Sequence, residues 1–207
     1  MIVVHHLNRS RSQRITWLLE ELEVPYRVRA HKRDEQTNLA PPELMEIHPL
    51  GKSPVIEDDG RVIFESGAII DYLIRHYGNG KLQPAVNSPE YDDYQMWLHY
   101  AEGSAALPML LNLYVSRLGE AGAPLHPRIE SEIANHLGFI DKRLEGRDFL
   151  VGDDLTGADI NLSFIVEIAG LFGKRAPFKN VERWIAALRA RPAFHRAAEK
   201  SDSIVPL

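Results

Sequence analysis

Ser10 and Ser12 lie in the stretch LNRSRSQRITWLLEEL, where a polar loop leads into the first predicted helix. A serine at a helix start commonly caps the helix, because its oxygen accepts a backbone N–H of the first turn. The same position also favours an anion, since the free N–H groups and the positive end of the helix dipole point at it. A hydroxyl there can add a charge-assisted hydrogen bond to that anion. The residues alone leave both roles open, capping and ligand binding.

Two further stretches place polar groups beside turns of the chain. A trans bond is usual for Ser53-Pro54, but a cis bond would turn the Ser53 N–H and C=O sideways, where an extended peptide can pair with them. The neighbouring Lys52 is either a solvated surface lysine or a carboxylate ligand. Ser66 either caps the helix that follows it or forms a carboxylate site, in which case Glu65 can hold an ammonium group. Together these groups suit a short peptide that carries a thiol.

Other polar residues favour structural roles. His5 and His6 are neighbours in a predicted strand, so their side chains point to opposite faces and cannot chelate one metal. The acidic run at 57–59 is typical of a turn, and no phosphate-binding glycine loop, HExxH or GxSxG motif is present. Thr156 and Asp159 have the spacing of a variant capping box, which predicts the start of a core helix.

The composition narrows the classes of protein further. The 207 residues carry a formal net charge of −5 without a dense cluster of Lys and Arg, which argues against a nucleic-acid partner. The absence of cysteine excludes disulfides and fits a reducing compartment. No signal peptide is recognisable, and the most apolar run, ALPMLLNLYV, is too short and too interrupted to span a membrane. We therefore expect a cytoplasmic protein that contacts neither nucleic acid nor membrane.

The first part of the chain alternates predicted strands and helices. A strand over 2–7, a helix ended by Pro25 and the alternating stretch YRVRA form a β-α-β unit with a parallel crossover. Asp58-Asp59-Gly60 is a turn signal between VIE and RVIF, which predicts an antiparallel hairpin followed by a helix that ends near Tyr77. The first helix carries one apolar stripe with helical spacing, made of Ile15, Leu18, Leu19 and Leu22.

The rest of the chain is predicted to be helical. Residues 78–88 are rich in turn residues and indicate a linker. Helical patterns then run over 89–117, 127–145, 157–172 and 181–190, and Pro192 separates a last short helix. The second of these carries a core-facing stripe made of Ile129, Ile133, Leu137, Ile140 and Leu144.

Three stretches together resemble the glutathione transferase family, and the resemblance covers essentially the whole chain. They are SRSQR at 10–14, HPLGKSPVIEDDGRVIFESGAIIDYL at 48–73 and LTGADI at 155–160. The middle stretch is the most specific, and WLHYAEGSAALPMLL is similar to bacterial and fungal members with a serine-type active site. The absence of a tyrosine in the first loop and of any cysteine excludes the tyrosine-type and cysteine-type classes.

The resemblance implies an α/β thioredoxin-like domain over 1–77 that binds glutathione, a linker over 78–88 and an all-α domain over 89–207 that forms the hydrophobic-substrate pocket. Glutathione is then a co-substrate and no other cofactor is needed. The enzyme would activate the glutathione thiol for attack on a hydrophobic electrophile, in a detoxifying role. Reduction of hydroperoxides is a second activity that the resemblance allows. The alternative is a non-catalytic protein of the same fold that binds a regulatory partner or carries ligands. A homodimer is also implied.

The resemblance also assigns roles to single residues. Ser10 matches the hydroxyl of the serine-type classes, with Ser12 as the alternative. Ser53, which precedes the implied cis Pro54, pairs through its backbone with the cysteinyl part of glutathione. The remaining implied contacts are Glu65 and Ser66 with the γ-glutamyl head, Lys52 with the glycyl end, Asn38 as a weaker partner of the glycyl carboxylate, and Tyr100 and Ser104 in the hydrophobic pocket.

Overall fold

The computed structural model describes residues 1–201, so the last part of the predicted helical domain, 202–207, lies outside the described residues. Contacts divide the chain into two compact units, one made of Met1–Leu82 with residues 189–201 and the other of Gln83–Leu188. The sequence assigns every residue from 89 onward to the helical domain. Residues 189–201 instead pack in the first unit, because their helix lies against the first helix of the chain.

The strands of the described chain all lie before residue 65, where α1 and α2 separate them, and only helical segments follow. The strands are β1 (Ile2–Leu7), β2 (Tyr26–His31), β3 (Val55–Asp58) and β4 (Arg61–Phe64). The helices are α1 (Ser12–Leu22), α2 (Glu43–Ile47), α3 (Ser66–Tyr77), α4 (Pro89–Tyr100), α5 (Ala106–Val115), α6 (His126–Arg143), α7 (Gly157–Leu171), α8 (Lys179–Arg189) and α9 (Pro192–Lys200). A π-helical turn, Ala101–Ala105, joins α4 to α5, and a 3₁₀-helical segment, Ser116–Leu125, joins α5 to α6.

The sheet of the first unit has four strands in the order β2-β1-β3-β4. Strand β1 is parallel to β2 and antiparallel to β3, and β3 pairs antiparallel with β4. The predicted hairpin is confirmed: Asp58 pairs with Arg61, and both loop residues, Asp59 and Gly60, have positive φ of 45° and 77°. Such angles define the two-residue turn that an Asp-Gly pair favours. The sequence thus predicts both the parallel crossover and the hairpin correctly.

Helix α9 completes the first unit by packing on α1. The Trp17 and Phe194 rings meet edge to face with centroids 5.3 Å apart, and the Thr16 hydroxyl lies 2.9 Å from the Ser201 hydroxyl. Arg191 donates two hydrogen bonds, of 2.6 and 2.9 Å, to the carboxylate of Glu21. The predicted apolar stripe of α1 is buried, so α1 contacts the sheet on one side and α9 on another.

The nearly buried carboxylate of Glu20 predicts an acid-dependent stability of the first unit. Burial raises its pKa, but hydrogen bonds from Lys200, Arg196 and Tyr26 outweigh burial and hold the pKa below its usual range. Because the folded-state pKa is lowered, this stability is present above the unfolded-state pKa of about 4.3 and is lost as the pH falls through the folded-state value. We expect Glu20→Gln to lower the free energy of unfolding by about 1–2 kcal/mol at pH 7 and to flatten its decline in acid.

Denaturant unfolding measured from pH 7 to pH 3 checks this expectation. Glu199→Gln, an exposed position on α9, is the matched control and should leave the pH profile unchanged. A Glu20→Gln profile parallel to that of the wild type would contradict the assignment.

The second unit is helical and contains the predicted capping box. Thr156 and Asp159 form that box at the start of α7, with the Thr156 backbone N–H donating to the Asp159 carboxylate at 3.0 Å. The predicted apolar stripe of α6 is buried. The sequence did not predict the π-helical turn, because a one-residue widening of a helix leaves its apolar pattern nearly unchanged. Within residues 1–201, no helix combines the length and apolarity needed to cross a membrane.

Candidate functional site

Ser10 lies in the loop between β1 and α1, with its side chain almost buried. Its Oγ accepts the backbone N–H of Ser12 at 3.3 Å, so Ser10 satisfies a first-turn donor as a capping serine does. Helix α1 itself begins at Ser12, and Arg11 occupies the N-cap position without a side-chain capping bond. Ser10 is 7% exposed and Ser12 is fully buried, so of the two residues only Ser10 keeps any exposed surface.

The two serines belong to a chain of hydrogen bonds that continues to β1. The Ser10 and Ser12 hydroxyl oxygens are 2.8 Å apart, and Ser12 Oγ is 2.8 Å from Nδ1 of His6. On the other side, Ser10 Oγ donates to Ser53 Oγ over a long 3.4 Å, and Ser53 Oγ donates to the His5 carbonyl at 2.9 Å. Ser53-Pro54 is cis, as the resemblance implies. Ser10 and Ser53 are therefore brought together although 43 residues separate them.

The register of the sheet places Glu65 at the same end. Ser10 follows the carboxyl end of β1, and Ser53 precedes β3, which pairs antiparallel with β1. Val55 pairs with Phe64, so β4 runs back toward the Ser53 end and Glu65 follows it there. Ser10, Ser53 and Glu65, which the sequence singled out in three separate stretches, thus lie at one end of the strands, called the sheet edge below.

The positions of Glu65 and Ser66 do not fit the capping role that was considered for Ser66. Glu65 is the N-cap of α3, with a φ of 69°, and its exposed side chain makes no capping hydrogen bond. Ser66 is the first residue of the helix and is buried, so it does not cap α3 as that interpretation expects. Backbone N–H groups of this first turn and the exposed Glu65 carboxylate remain together at the sheet edge. A negative and a positive group of one ligand can be held there.

Lys52 and Asn38 lie on the loops that surround this edge. Lys52 is exposed beside Ser53. Asn38 has a φ of 58°, and its side-chain oxygen accepts a 3.0 Å hydrogen bond from the Arg9 guanidinium. Arg9, which directly precedes Ser10, was not singled out by sequence reasoning. Its position directly before Ser10 was the sequence signal that could have drawn attention to it.

The adjacent histidines face opposite sides of the sheet, which confirms the alternation argument. His5 contacts His31 at 3.2 Å and the Glu57 carboxylate at 2.7 Å, whereas His6 contacts Ser12. Burial and the neighbouring His5 lower the pKa of His31. Within residues 1–201, no three or more His, Cys, Asp or Glu side chains lie together in a way that could hold a metal ion.

Tyr100 and Ser104 lie in the second unit. The Tyr100 hydroxyl is 2.5 Å from His136 Nδ1, and burial raises the pKa of Tyr100 to about 12. Its ring lies with those of Trp97 and Phe139 beside a cavity of about 400 Å³. Ser104 is exposed in the π-helical turn, a type of irregularity that is frequent at functional sites. The structure therefore does not place these two residues in one hydrogen-bonded group.

Helix α5 and the segment after it present an exposed apolar stripe. Met109 is buried, but the opposite face carries large apolar side chains that are 41–59% exposed. Their spacing of four, three and four residues indicates that they share one face. These exposed residues are Leu107, Leu111, Tyr114 and Leu118.

Comparisons with known proteins agree over nearly all of the chain. Family models described as the N-terminal and C-terminal domains of glutathione S-transferase match residues 1–75 and 96–192. Glutathione S-transferase 3 of Schizosaccharomyces pombe is 34% identical over 215 residues, which cover 97% of this chain and 88% of that protein.

Solved structures give the same result. A glutathione S-transferase from Actinobacillus pleuropneumoniae has a TM-score of 0.87 and 34% identity, covering 98% of this chain and 94% of that chain. A glutathione transferase family member from Pseudomonas fluorescens, determined with two glutathione bound, has a TM-score of 0.80 and 29% identity, covering 96% and 92% of the two chains.

The fold is thus a thioredoxin-like part followed by a mostly helical part, as the sequence predicts. The chain belongs to the glutathione S-transferase family.

Proposed function

We propose that the protein is a serine-type glutathione transferase in which the Ser10 hydroxyl hydrogen-bonds the glutathione sulfur. The observation that carries the proposal is the position of Ser10: it lies just before the N-terminus of α1 and keeps a small exposed surface, on the sheet edge that also holds Ser53 and Glu65. The solved Pseudomonas fluorescens relative, at 29% identity, has glutathione bound. Glutathione is therefore the thiol that we assign to this edge.

Each part of glutathione has a group of matching chemistry in the first unit. The backbone of Ser53, at the cis bond, would pair with the cysteinyl residue as an added strand does. The Glu65 carboxylate would hold the γ-glutamyl ammonium, and the N–H groups that begin α3 at Ser66 would hold its carboxylate. Lys52 would lie near the glycyl carboxylate, with Asn38 and its partner Arg9 on the neighbouring loop.

The chemistry follows from the sulfur's pKa. A free thiol has a pKa of about 8.5, so at neutral pH only a minority is the nucleophilic thiolate. A hydrogen bond from Ser10 and the N-terminus of α1 would both stabilise the thiolate and lower that pKa. The thiolate would then attack an electrophilic carbon, forming a thioether and expelling a leaving group. With a hydroperoxide it would attack one peroxide oxygen and break the O–O bond, giving an alcohol and a sulfenic acid, which a second glutathione converts to the disulfide and water. Ser10 acts as a hydrogen-bond donor and not as a covalent nucleophile.

The second unit would supply the surface for the hydrophobic electrophile. Its apolar stripe on α5, with Leu107, Leu111 and Tyr114, is exposed to an extent that is unusual for side chains without a binding role. We also propose that Tyr100 and Ser104 line the pocket for this substrate.

Glutathione titration together with turnover tests the proposed function. We expect calorimetric binding of glutathione and conjugation of 1-chloro-2,4-dinitrobenzene. Binding without turnover on a panel of electrophiles and hydroperoxides would favour the non-catalytic alternative, because a fold alone does not specify activity. Absence of glutathione binding by the folded protein would reject the transferase.

Glu65→Gln is expected to weaken glutathione binding about tenfold or more, since the substitution removes the charge that pairs with the ligand's ammonium. The change keeps the side chain's size and the exposed N-cap position. Calorimetry measures the dissociation constant. Asp59→Asn is the control, because it makes the same charge change at the hairpin turn, which lies at the opposite end of β4. Equal affinities of Glu65→Gln and the wild type would contradict the assignment.

A cytoplasmic homodimer completes the proposal. Edge strand β4 exposes Val62 and Phe64 at 46% and 43%, and exposed apolar side chains on an edge strand commonly mark an interface. We expect sedimentation at micromolar concentration to show a dimer and Val62→Lys to weaken it at least about tenfold. Leu171→Lys, an exposed position on α7, is the control. A wild-type monomer at these concentrations would reject the dimer.

A further inference from the structure

The Ser10 hydroxyl is the outer end of a buried polar chain that begins on β1. His6 Nδ1, Ser12 Oγ and Ser10 Oγ are joined by two contacts of 2.8 Å each. The three residues are 2%, 0% and 7% exposed. Buried polar groups of this kind normally form specific hydrogen bonds, and the direction of donation along the chain decides what its outer end can do.

The contacts of Ser53 favour one direction of donation, which the contacts of Ser12 with Ser10 and His6 alone leave open. A serine hydroxyl has one hydrogen, and that of Ser53 goes to the His5 carbonyl at 2.9 Å. Ser53 Oγ therefore accepts from Ser10, which uses the hydrogen of Ser10 in the outward direction. In its 2.8 Å contact with Ser12, Ser10 must then be the acceptor and Ser12 the donor.

The same reasoning indicates which ring nitrogen of His6 carries the hydrogen. Because the hydrogen of Ser12 goes to Ser10, the oxygen of Ser12 can only accept in its contact with His6. Nδ1 of His6 must then carry a hydrogen. Donation runs from His6 to Ser12 to Ser10, and the Ser10 hydrogen points toward Ser53 over 3.4 Å, which is long for a hydroxyl bond and easily exchanged for a better acceptor.

We propose that His6 and Ser12 are positioning residues that set the direction of the Ser10 hydroxyl, so that its hydrogen is available to the sulfur of bound glutathione. This inference rests on the proposed function. With the opposite direction of donation, Ser10 would give its hydrogen to Ser12 and present only lone pairs to a thiolate. That arrangement would repel the thiolate, so the direction of the chain determines whether Ser10 assists the reaction.

Five variants test the inference through the thiol pKa of bound glutathione, which is measured from thiolate absorbance against pH. Ser12→Ala removes the donor to Ser10, and His6→Leu removes the donor that orients the Ser12 hydroxyl toward Ser10. Both should raise that pKa, by up to roughly half to one pH unit, the equivalent of one ordinary hydrogen bond. His6→Asn should keep a low pKa, because its amide nitrogen can donate from near the position of Nδ1. Ser10→Ala combined with Ser12→Ala should equal Ser10→Ala alone, since Ser12 acts through Ser10.

A purely structural role gives a different pattern. It would lower the melting temperature of Ser12→Ala while leaving the thiol pKa of bound glutathione at the wild-type value, and this result would overturn the inference alone. A wild-type thiol pKa equal to that of free glutathione would overturn the proposed function together with the inference.

A second measurement does not depend on variants or on glutathione. The nitrogen chemical shifts of His6 in the wild-type protein report which ring nitrogen carries the hydrogen. Protonated Nδ1 is expected. A neutral His6 with its hydrogen on Nε2 would reverse the chain of donation and overturn the inference, even if every variant failed to fold.

Discussion

Ser10→Ala is expected to raise the thiol pKa of bound glutathione toward the value of the free thiol and to lower kcat/KM at neutral pH about tenfold to a hundredfold. A hydrogen bond to an ionised group contributes about 1.5–3 kcal/mol, which corresponds to this range. The effect should be concentrated in the thiolate, because the variant leaves the N-terminus of α1 and the Glu65 and Ser53 contacts in place. Binding of the protonated thiol should therefore change little.

Conjugation kinetics and thiolate absorbance, both measured between pH 5 and pH 9, check this expectation. With the altered thiol pKa, the loss of activity should shrink as the pH rises, because the free thiol itself ionises near 8.5. Ser131→Ala, an exposed serine of α6, is the matched control. A depressed thiol pKa that survives Ser10→Ala would instead assign the effect to Ser12 or to the helix N-terminus.

Asp159→Ala is expected to lower the free energy of unfolding by about 3–5 kcal/mol, the largest stability effect that we predict. The fully buried carboxylate accepts hydrogen bonds from the Thr156 backbone at 3.0 Å, the Leu150 backbone at 2.9 Å and the Trp184 indole at 3.2 Å. Alanine would leave these donors buried without an acceptor, and each such group costs about 1–3 kcal/mol. The residue thus holds α7, the segment before it and α8 together.

Denaturant unfolding of the variant measures this loss. Asp153→Ala, an exposed aspartate just before the capping box, is the control and should change stability by less than about 0.5 kcal/mol. Thr156→Ala should lower the free energy of unfolding by about 1 kcal/mol, between the other two values, as is typical for a lost cap. A cost for Asp159→Ala no larger than that of Thr156→Ala would show that the box acts only as a helix cap.

The sequence predicted those elements that are specified by residues close together in the chain. Asp59-Gly60 specifies its own turn, and the spacing of Thr156 and Asp159 specifies its own capping box, so both are found as expected. The docking of α9 could not be predicted in this way. Its apolar face is evident from the sequence, but periodicity does not say which other face covers it, and the partner, α1, lies about 170 residues away, the separation of Glu21 and Arg191.

The same distinction applies to the candidate site. Alternation along β1 correctly separated His5 from His6, and loop position singled out Ser10. The contact of His6 with Ser12 could not be predicted, because it arises only when α1 folds back over the sheet. The burial of Ser12, which favours Ser10 over its neighbour as the ligand contact, depends on the same packing.

The docking of α9 has a consequence for synthesis on the ribosome. The sheet and α1 are made first, yet the unit that contains them is complete only when residues 189–201 have emerged from the exit tunnel. The unit Gln83–Leu188 is one continuous piece, whereas the unit that contains the sheet needs two segments that lie far apart in the chain. The part of the described chain that is translated first therefore has one side of α1 uncovered until α9 has been made.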